Sequence, residues 1–493
     1  MNAFRLPGLV VVVGLLVGAL TIDQSRAEPE LVVHEIRVPG PAVDSNDARS
    51  STWFCAASTA TEDGLADSEV VLANTALSDT TAVVSVFVGS AEPLLDAPVS
   101  ELVVPLPAQT LTNLRLADLV PNSPVVSIAV EVDGGGVLVD KISSGPTGLD
   151  RSACAIDGSR EWVITSGSTI PGSRLQLVVF NPFPDDAVVD IDFVSEVGAR
   201  SPEDLVALHV PAQSSRLIEI GDVFAASERI TSFVRVRSGR VVAEGIQSFD
   251  GSDSPLGLSV ITGAPATAES WTFPGISPAV GPARLVVVNP AESEVRAEVD
   301  VYPAGDERFI EPFEVVLQPG QTDIVDLEGA GRLSGLSFFT LVVRSLDGPL
   351  IVAGMEQRPD VDESDPLDVV LEADAVVPST GFASSVGQAV AARSLFTVVD
   401  VPDDDERSAL HVFNPAPDTF VTMTVTISVD GASRDLRLEV GPKRTLRVPL
   451  AELNTGQYVI EIEASGPIIG SREITGLSSR SWAPMLPAVA PVD

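Results

Sequence analysis

Few residues in this 493-residue chain have the types and spacings that do chemistry. Asp360, Asp362 and Ser364 put side-chain oxygens at alternate positions, the spacing with which a loop wraps a calcium ion. The pattern then departs from an EF-hand, because position six is Asp365 rather than Gly and position twelve is Leu371 rather than Glu. Asp250, Ser252 and Asp253 form a poorer version. Calcium is thus the one cofactor these residues suggest, and a solvated acidic loop is the plainer reading. His34, His209 and His411 stand in different contexts, share no metal-ligand spacing, and read as structural or exposed. No nucleophile elbow, phosphate-binding glycine loop, Cys-x-x-Cys or His-Glu-x-x-His occurs. Carboxylates are abundant, so composition alone permits a glycosidase-type pair. No pair is marked out, however, and four Trp and two Tyr are few for lining a sugar cleft.

The formal net charge of −39 argues against a nucleic-acid partner, which needs a basic surface. Arg5, the apolar run 6–22 and the small residues Ser25 and Ala27 describe a signal peptide or signal anchor over residues 1–27. Either form places residues 28–493 outside the cytoplasm, with membrane contact only through that segment. The chain's two cysteines, Cys55 and Cys154, are then expected as a disulfide, with two free thiols as the alternative. A loop of that length is worth about 4–5 kcal/mol in the chain-entropy account.

The elements that carry these residues repeat. Apolar runs end at Asn74, Asn181, Asn289 and Asn414, three of them followed by Pro, with spacings of 107, 108 and 125. A Pro-led turn recurs at Pro107, Pro211, Pro319 and Pro442, and a late apolar run at Val137, Val241, Leu350 and Ile468. Trp53, Trp162 and Trp271 open three units and Leu395-Phe396 the fourth; repetition at one place argues for packing rather than sugar binding. Anchors kept in order at one period mean tandem duplication. The period fits a whole β-sandwich, and alternation such as Val421, Met423, Val425 and Ile427 against Thr422, Thr424 and Thr426 is strand-like. The expectation is an all-β chain of four tandem Ig-like or fibronectin-like sandwiches of about seven strands, at 28–160, 161–268, 269–392 with an acidic insertion, and 393–493.

The strand into Asn-Pro, the Pro-led Gln-Thr turn and the opening Trp53-Phe54-Cys55 with one later Cys154 resemble an uncharacterised family of exported, envelope-associated β-repeat proteins of high-GC Gram-positive bacteria. This chain departs at Thr75, where the others have Pro, and at Leu395-Phe396. The resemblance implies an extracytoplasmic β-rich protein and carries over no catalytic residue. The expected function is a non-enzymatic scaffold, spacer or adhesion surface whose partner is an envelope protein or glycan. The alternatives are an envelope-polysaccharide enzyme with unrecognised carboxylates, or a membrane-anchored accessory subunit of envelope machinery.

Overall fold

In the computed structural model the described residues run from Gly40 to Ala488, apart from 62–64, 91–99, 253–255, 278–282, 306–307, 328–329, 349–350, 358–380, 402–405, 451–452 and 477–479. Residues 1–27 and the calcium candidates Asp360, Asp362 and Ser364 lie outside them. The fold is all-β, built from antiparallel sheets that pack as sandwiches. Strands fall in four successive groups, at 51–153, 161–262, 270–386 and 392–487. The second and third groups each form two separate sheets. In the first, the pairing of Ala60 with Asp67 merges them into one. In the fourth, the long strand Gly456–Gly476 pairs into both.

Among the described residues each group has more than the seven strands of an ordinary sandwich, nine in the second and eight in each of the others. One late strand of each faces the other groups: Gly148–Ala153, Leu256–Thr262, Ala383–Val386 and Arg480–Pro484. They touch in a circuit, the first on the second, the second on the third, the third on the fourth and the fourth on the first. We call this the hub. The apolar cores follow the same order. Phe54, Phe87 and Val125 join the core of the second group, Val163 and Phe233 that of the third, and Phe396, Val398, Val459 and Leu486 of the fourth join that of the first.

The four asparagines are fully buried. Asn181 Nδ2 donates to the carbonyls of Asp185, Val210 and Pro211 at 2.8–3.2 Å, and its Oδ1 accepts the Phe183 N–H at 3.1 Å. Asn74 and Asn289 repeat this pattern on Ser78, Leu106 and Pro107 and on Ser293, Leu317 and Gln318. Asn414 reaches Thr419 and Val440. Asn was expected to end a strand. It also ties that strand to the end of a strand in the facing part of the sandwich, satisfying carbonyls that burial would otherwise leave unpaired.

The Pro-led turns align differently from the sequence register. The left-handed residue is Gln109, Gln213, Gly320 and Lys443, with φ of 55°, 52°, 68° and 52°. Pro319 and Pro442 therefore sit one position later in their turns than Pro107 and Pro211. The backbone requirement fixes the turn, and proline is accommodated beside it.

Trp53, Trp162 and Trp271 occupy equivalent places, opposite Val130, Val234 and Val343, and Leu395 stands opposite Ile462. All three tryptophans are buried. The Trp162 and Trp271 indoles donate to the carbonyls of Val241 and Ile351 at 2.7 and 2.9 Å. Trp482 differs, lying in a hub strand against Phe273 of the third group at 5.8 Å.

Gly275 holds φ +77°, and a Cβ there would run into the His411 ring of the fourth group. Gly275→Ala therefore combines a left-handed strain with a clash against a ring fixed by Glu473. Its expected result is a loss of about 2–4 kcal/mol, read as a lower denaturation midpoint, with hydrogen exchange in the first and second groups unchanged.

Candidate functional site

The sandwiches meet at seams that repeat one arrangement. Ser127 and Ser215 join hydroxyls across the first-to-second seam at 2.8 Å, and Thr231 and Thr322 do so across the second-to-third at 3.1 Å. Thr340 and Thr445 join across the third-to-fourth at 2.5 Å. Beside two of these pairs an aromatic pair plugs the seam, Phe87 on Phe180 at 5.1 Å and Tyr302 on Phe413 at 5.3 Å. At the second-to-third seam the equivalent residues by strand register are Val194 and Val288. There a cleft of about 150 Å³ opens, lined by hydroxyls of Thr165, Ser166, Thr231 and Thr322 and by Glu196, Arg229, Asp323 and Glu356. Smaller side chains leave space, and the space is polar because the flanking strands present Thr and Ser.

Glu196 in this cleft accepts backbone N–H bonds from Glu228 and Arg229 at 3.0 and 3.2 Å. Burial works to raise its pKa, but those donors and its own N–H outweigh burial and hold it below the usual carboxylate range. Thr165 presses on Gly354 of the third group, where any Cβ would collide with it. The lining contains no aromatic residue. Its volume is below the roughly 300 Å³ at which ordinary small-molecule pockets begin, so it suits one hydroxyl- or ammonium-bearing group rather than a whole drug-sized ligand.

In and around the hub lies a second cluster of charge, buried except for Asp400, which is one-fifth exposed. Lys141 pairs with Glu244 of the second group, whose carboxylate also accepts the Ala57 N–H at 2.8 Å. Arg472 of the fourth group pairs with Asp140 of the first and donates to the Val398 carbonyl at 2.8 Å. Arg151 bridges Asp140 at 3.1 Å and Asp400 at 2.5 Å. Arg480 lies 2.5 Å from Gln357 and 3.6 Å from Glu473, which bonds His411 at 3.0 Å. Burial pushes the Arg480 pKa down to about 10, against the pull of Glu473.

Asp150 accepts the Val260 N–H at 2.6 Å and the Ser259 hydroxyl at 3.2 Å, both from the second group. Burial raises its pKa despite these bonds and that of Ser481. Its folded pKa lies above the unfolded one, so its protonated form favours folding; that contribution is full below the unfolded pKa and is lost as pH rises through the folded pKa. Asp150→Asn keeps an acceptor and removes the ionisation. The expected outcome is a higher melting temperature at pH 7, with the gain over the native chain shrinking as pH falls toward 4.

Cys55 and Cys154 form the disulfide, 99 positions apart in sequence. Cys154 directly follows the first hub strand, so the bond anchors that strand to Ser51–Ala60. His209 bonds Asp186 at 3.0 Å on the surface, while His411 is buried at the third-to-fourth seam. Asp250 caps its own turn, accepting the N–H and hydroxyl of Ser252 at 2.9 and 2.6 Å. Among the described residues no cluster of three or more His, Cys, Asp and Glu could hold a metal, and no helix is long and apolar enough to cross a membrane.

Sequence reasoning missed Asp140, Lys141, Glu244, Arg472 and Glu473. Their signal is a charge inside an otherwise apolar strand, as in Leu138-Val139-Asp140-Lys141-Ile142.

A family of unknown function, DUF5719, matches residues 141–334. The match runs from Lys141 in the first group to just past Leu333 in the third, and so includes the residues lining the open cleft except Glu356. No curated protein matches the chain. Among solved structures, Thermotoga maritima 1070 is 16% identical with a TM-score of 0.18, over 20% of this chain and 95% of that one. A GH78 family rhamnosidase of Bacillus sp. GL1 is 10% identical with a TM-score of 0.13, over 92% of this chain and 55% of that one. The trypsin-activated alpha-2-macroglobulin from Escherichia coli is 9% identical with a TM-score of 0.13, over 90% and 42%.

Proposed function

We propose that this chain is a non-enzymatic module of the cell envelope, exported by its N-terminal segment and working as a scaffold with a binding surface. The observation that supports this reading is the use of its deep charges. Lys141, Arg151, Arg472 and Arg480 each meet a carboxylate or amide, across a boundary between strand groups or beside one, and join sandwiches into one body. The disulfide suits an oxidising compartment outside the cytoplasm. The cleft between the second and third groups is the assigned contact for an envelope protein or glycan, through hydroxyls and carboxylates that pair with sugar hydroxyls or an ammonium group.

Two measurements test this. Cell fractionation with thiol labelling is expected to recover the chain outside the cytoplasm with both cysteines oxidised; a cytosolic chain with free thiols overturns the export reading. Purified oxidised protein is expected to co-sediment with isolated envelope polysaccharide or protein and to release no reducing ends. Val194→Phe, which plugs the cleft as Phe87 and Tyr302 plug their seams, is expected to weaken that binding at least tenfold. Release of reducing ends would instead favour the enzyme reading, with Glu196, Asp323 and Glu356 as the carboxylates to test.

A further inference from the structure

The fourth-to-first seam is built unlike the other three. By strand register its residues at the hydroxyl-pair positions are Val459 and Leu111, and at the aromatic positions Ser428 and Ala73. No hydroxyl pair and no aromatic plug can form from these side chains. In their place stand Asp140 on Arg472, and Arg151 between Asp140 and Asp400. In the outer part Asn113 donates to Gln457 at 2.8 Å. Val43, ahead of the first sandwich, donates its N–H to Pro487 beyond the last hub strand at 2.9 Å.

Connectivity separates the seams further. The first three join groups that follow each other in the chain, so a short linker keeps the partners at high effective concentration. The fourth joins residues more than 300 positions apart, such as Asp140 and Arg472 at a separation of 332, so no short linker holds its partners together. Its buried ions, like the Lys141–Glu244 pair of the first-to-second seam, leave an uncompensated charge when one partner is lost.

We propose that the fourth-to-first seam is a latch, which opens as one cooperative step while all four sandwiches stay folded. Opening parts the first and last hub strands and exposes Arg472 and Asp140 together, and the other three seams keep the body in one piece. The latch is a property of the fold and stands or falls independently of the envelope reading.

Hydrogen exchange on the full oxidised chain tests it. In Arg472→Gln, amides of Leu111–Arg115, Gly148–Ala153 and Ala392–Val401 are expected to exchange on the order of 10²-fold faster. Ser214–Glu219 and Thr445–Pro449, at the first-to-second and third-to-fourth seams, are expected to keep native rates. Asp400→Asn, at a carboxylate one-fifth exposed, is the milder variant should Arg472→Gln not fold, with a smaller change in the same strands. Adding Asn113→Cys and Gln457→Cys, whose native side chains already touch, is expected to restore slow exchange in the Arg472→Gln chain once oxidised. Equal acceleration at all seams, no acceleration at any, or failure of the cross-link to restore protection overturns the latch.

Discussion

Lys141→Met is expected to destabilise the junction of the first two sandwiches by about 3–5 kcal/mol. Lys141 and Glu244 are both fully buried, and each is the other's counter-ion. Removing the ammonium leaves the Glu244 carboxylate with one backbone N–H, from Ala57, in a region without water access. The cost arises from that stranded charge rather than from the pair's net worth, because an ion pair taken out of water roughly balances its own desolvation. The double variant Lys141→Met with Glu244→Leu is therefore expected to recover most of the loss. Four packed sandwiches do not unfold as one two-state unit, so the reading is local: exchange in Val137–Gly145 and Val242–Asp250, with the denaturation midpoint of that junction. A double variant no better than the single one would show that the pair contributes net stability by itself.

Asn289→Ala is expected to cost the third sandwich about 3–5 kcal/mol. Three carbonyls lose their donor, those of Ser293, Leu317 and Gln318, and the Ala291 N–H loses its acceptor. Each buried group left unpaired costs about 1–3 kcal/mol, reduced where water reaches the loop. Asn289→Asp separates the roles: its carboxylate keeps the acceptor for Ala291 but turns a donor position into a repelling one against three carbonyls. It is expected to be at least as damaging as Ala, and equilibrium denaturation of the two variants side by side decides the point. A near-neutral Ala variant would show that solvent, not Asn289, satisfies those carbonyls.

Much of the fold was legible in the sequence. The period of the asparagines, the tryptophans and the late apolar runs gave the tandem β-sandwich reading, because each is a local requirement of one unit: a strand stop, a core ring, a hairpin. The Pro-led turns were misaligned by one residue in two units, since a left-handed backbone position can be filled by Gln, Gly or Lys and leaves no consistent letter. Of the site, the pairing of Cys55 with Cys154 was legible from count and inferred compartment. The cleft was not, because it comes from what Val194 and Val288 lack relative to residues a hundred positions away in either direction.

The sequence by itself determined that the chain is all-β, that its unit repeats and that two thiols would pair. These depend on neighbours within a turn or a hairpin, and on period. Only the tertiary structure decided that a late strand from each of the four groups meets in a closed hub, that Lys141, Asp140 and Arg472 are buried ion pairs rather than solvated charges, and that one seam carries buried ion pairs where the other three carry a hydroxyl pair. The physical reason is that a charge's environment is set by whatever faces it across space. Its partner here lies about one to three units away along the chain, and no pattern local to either residue encodes the other.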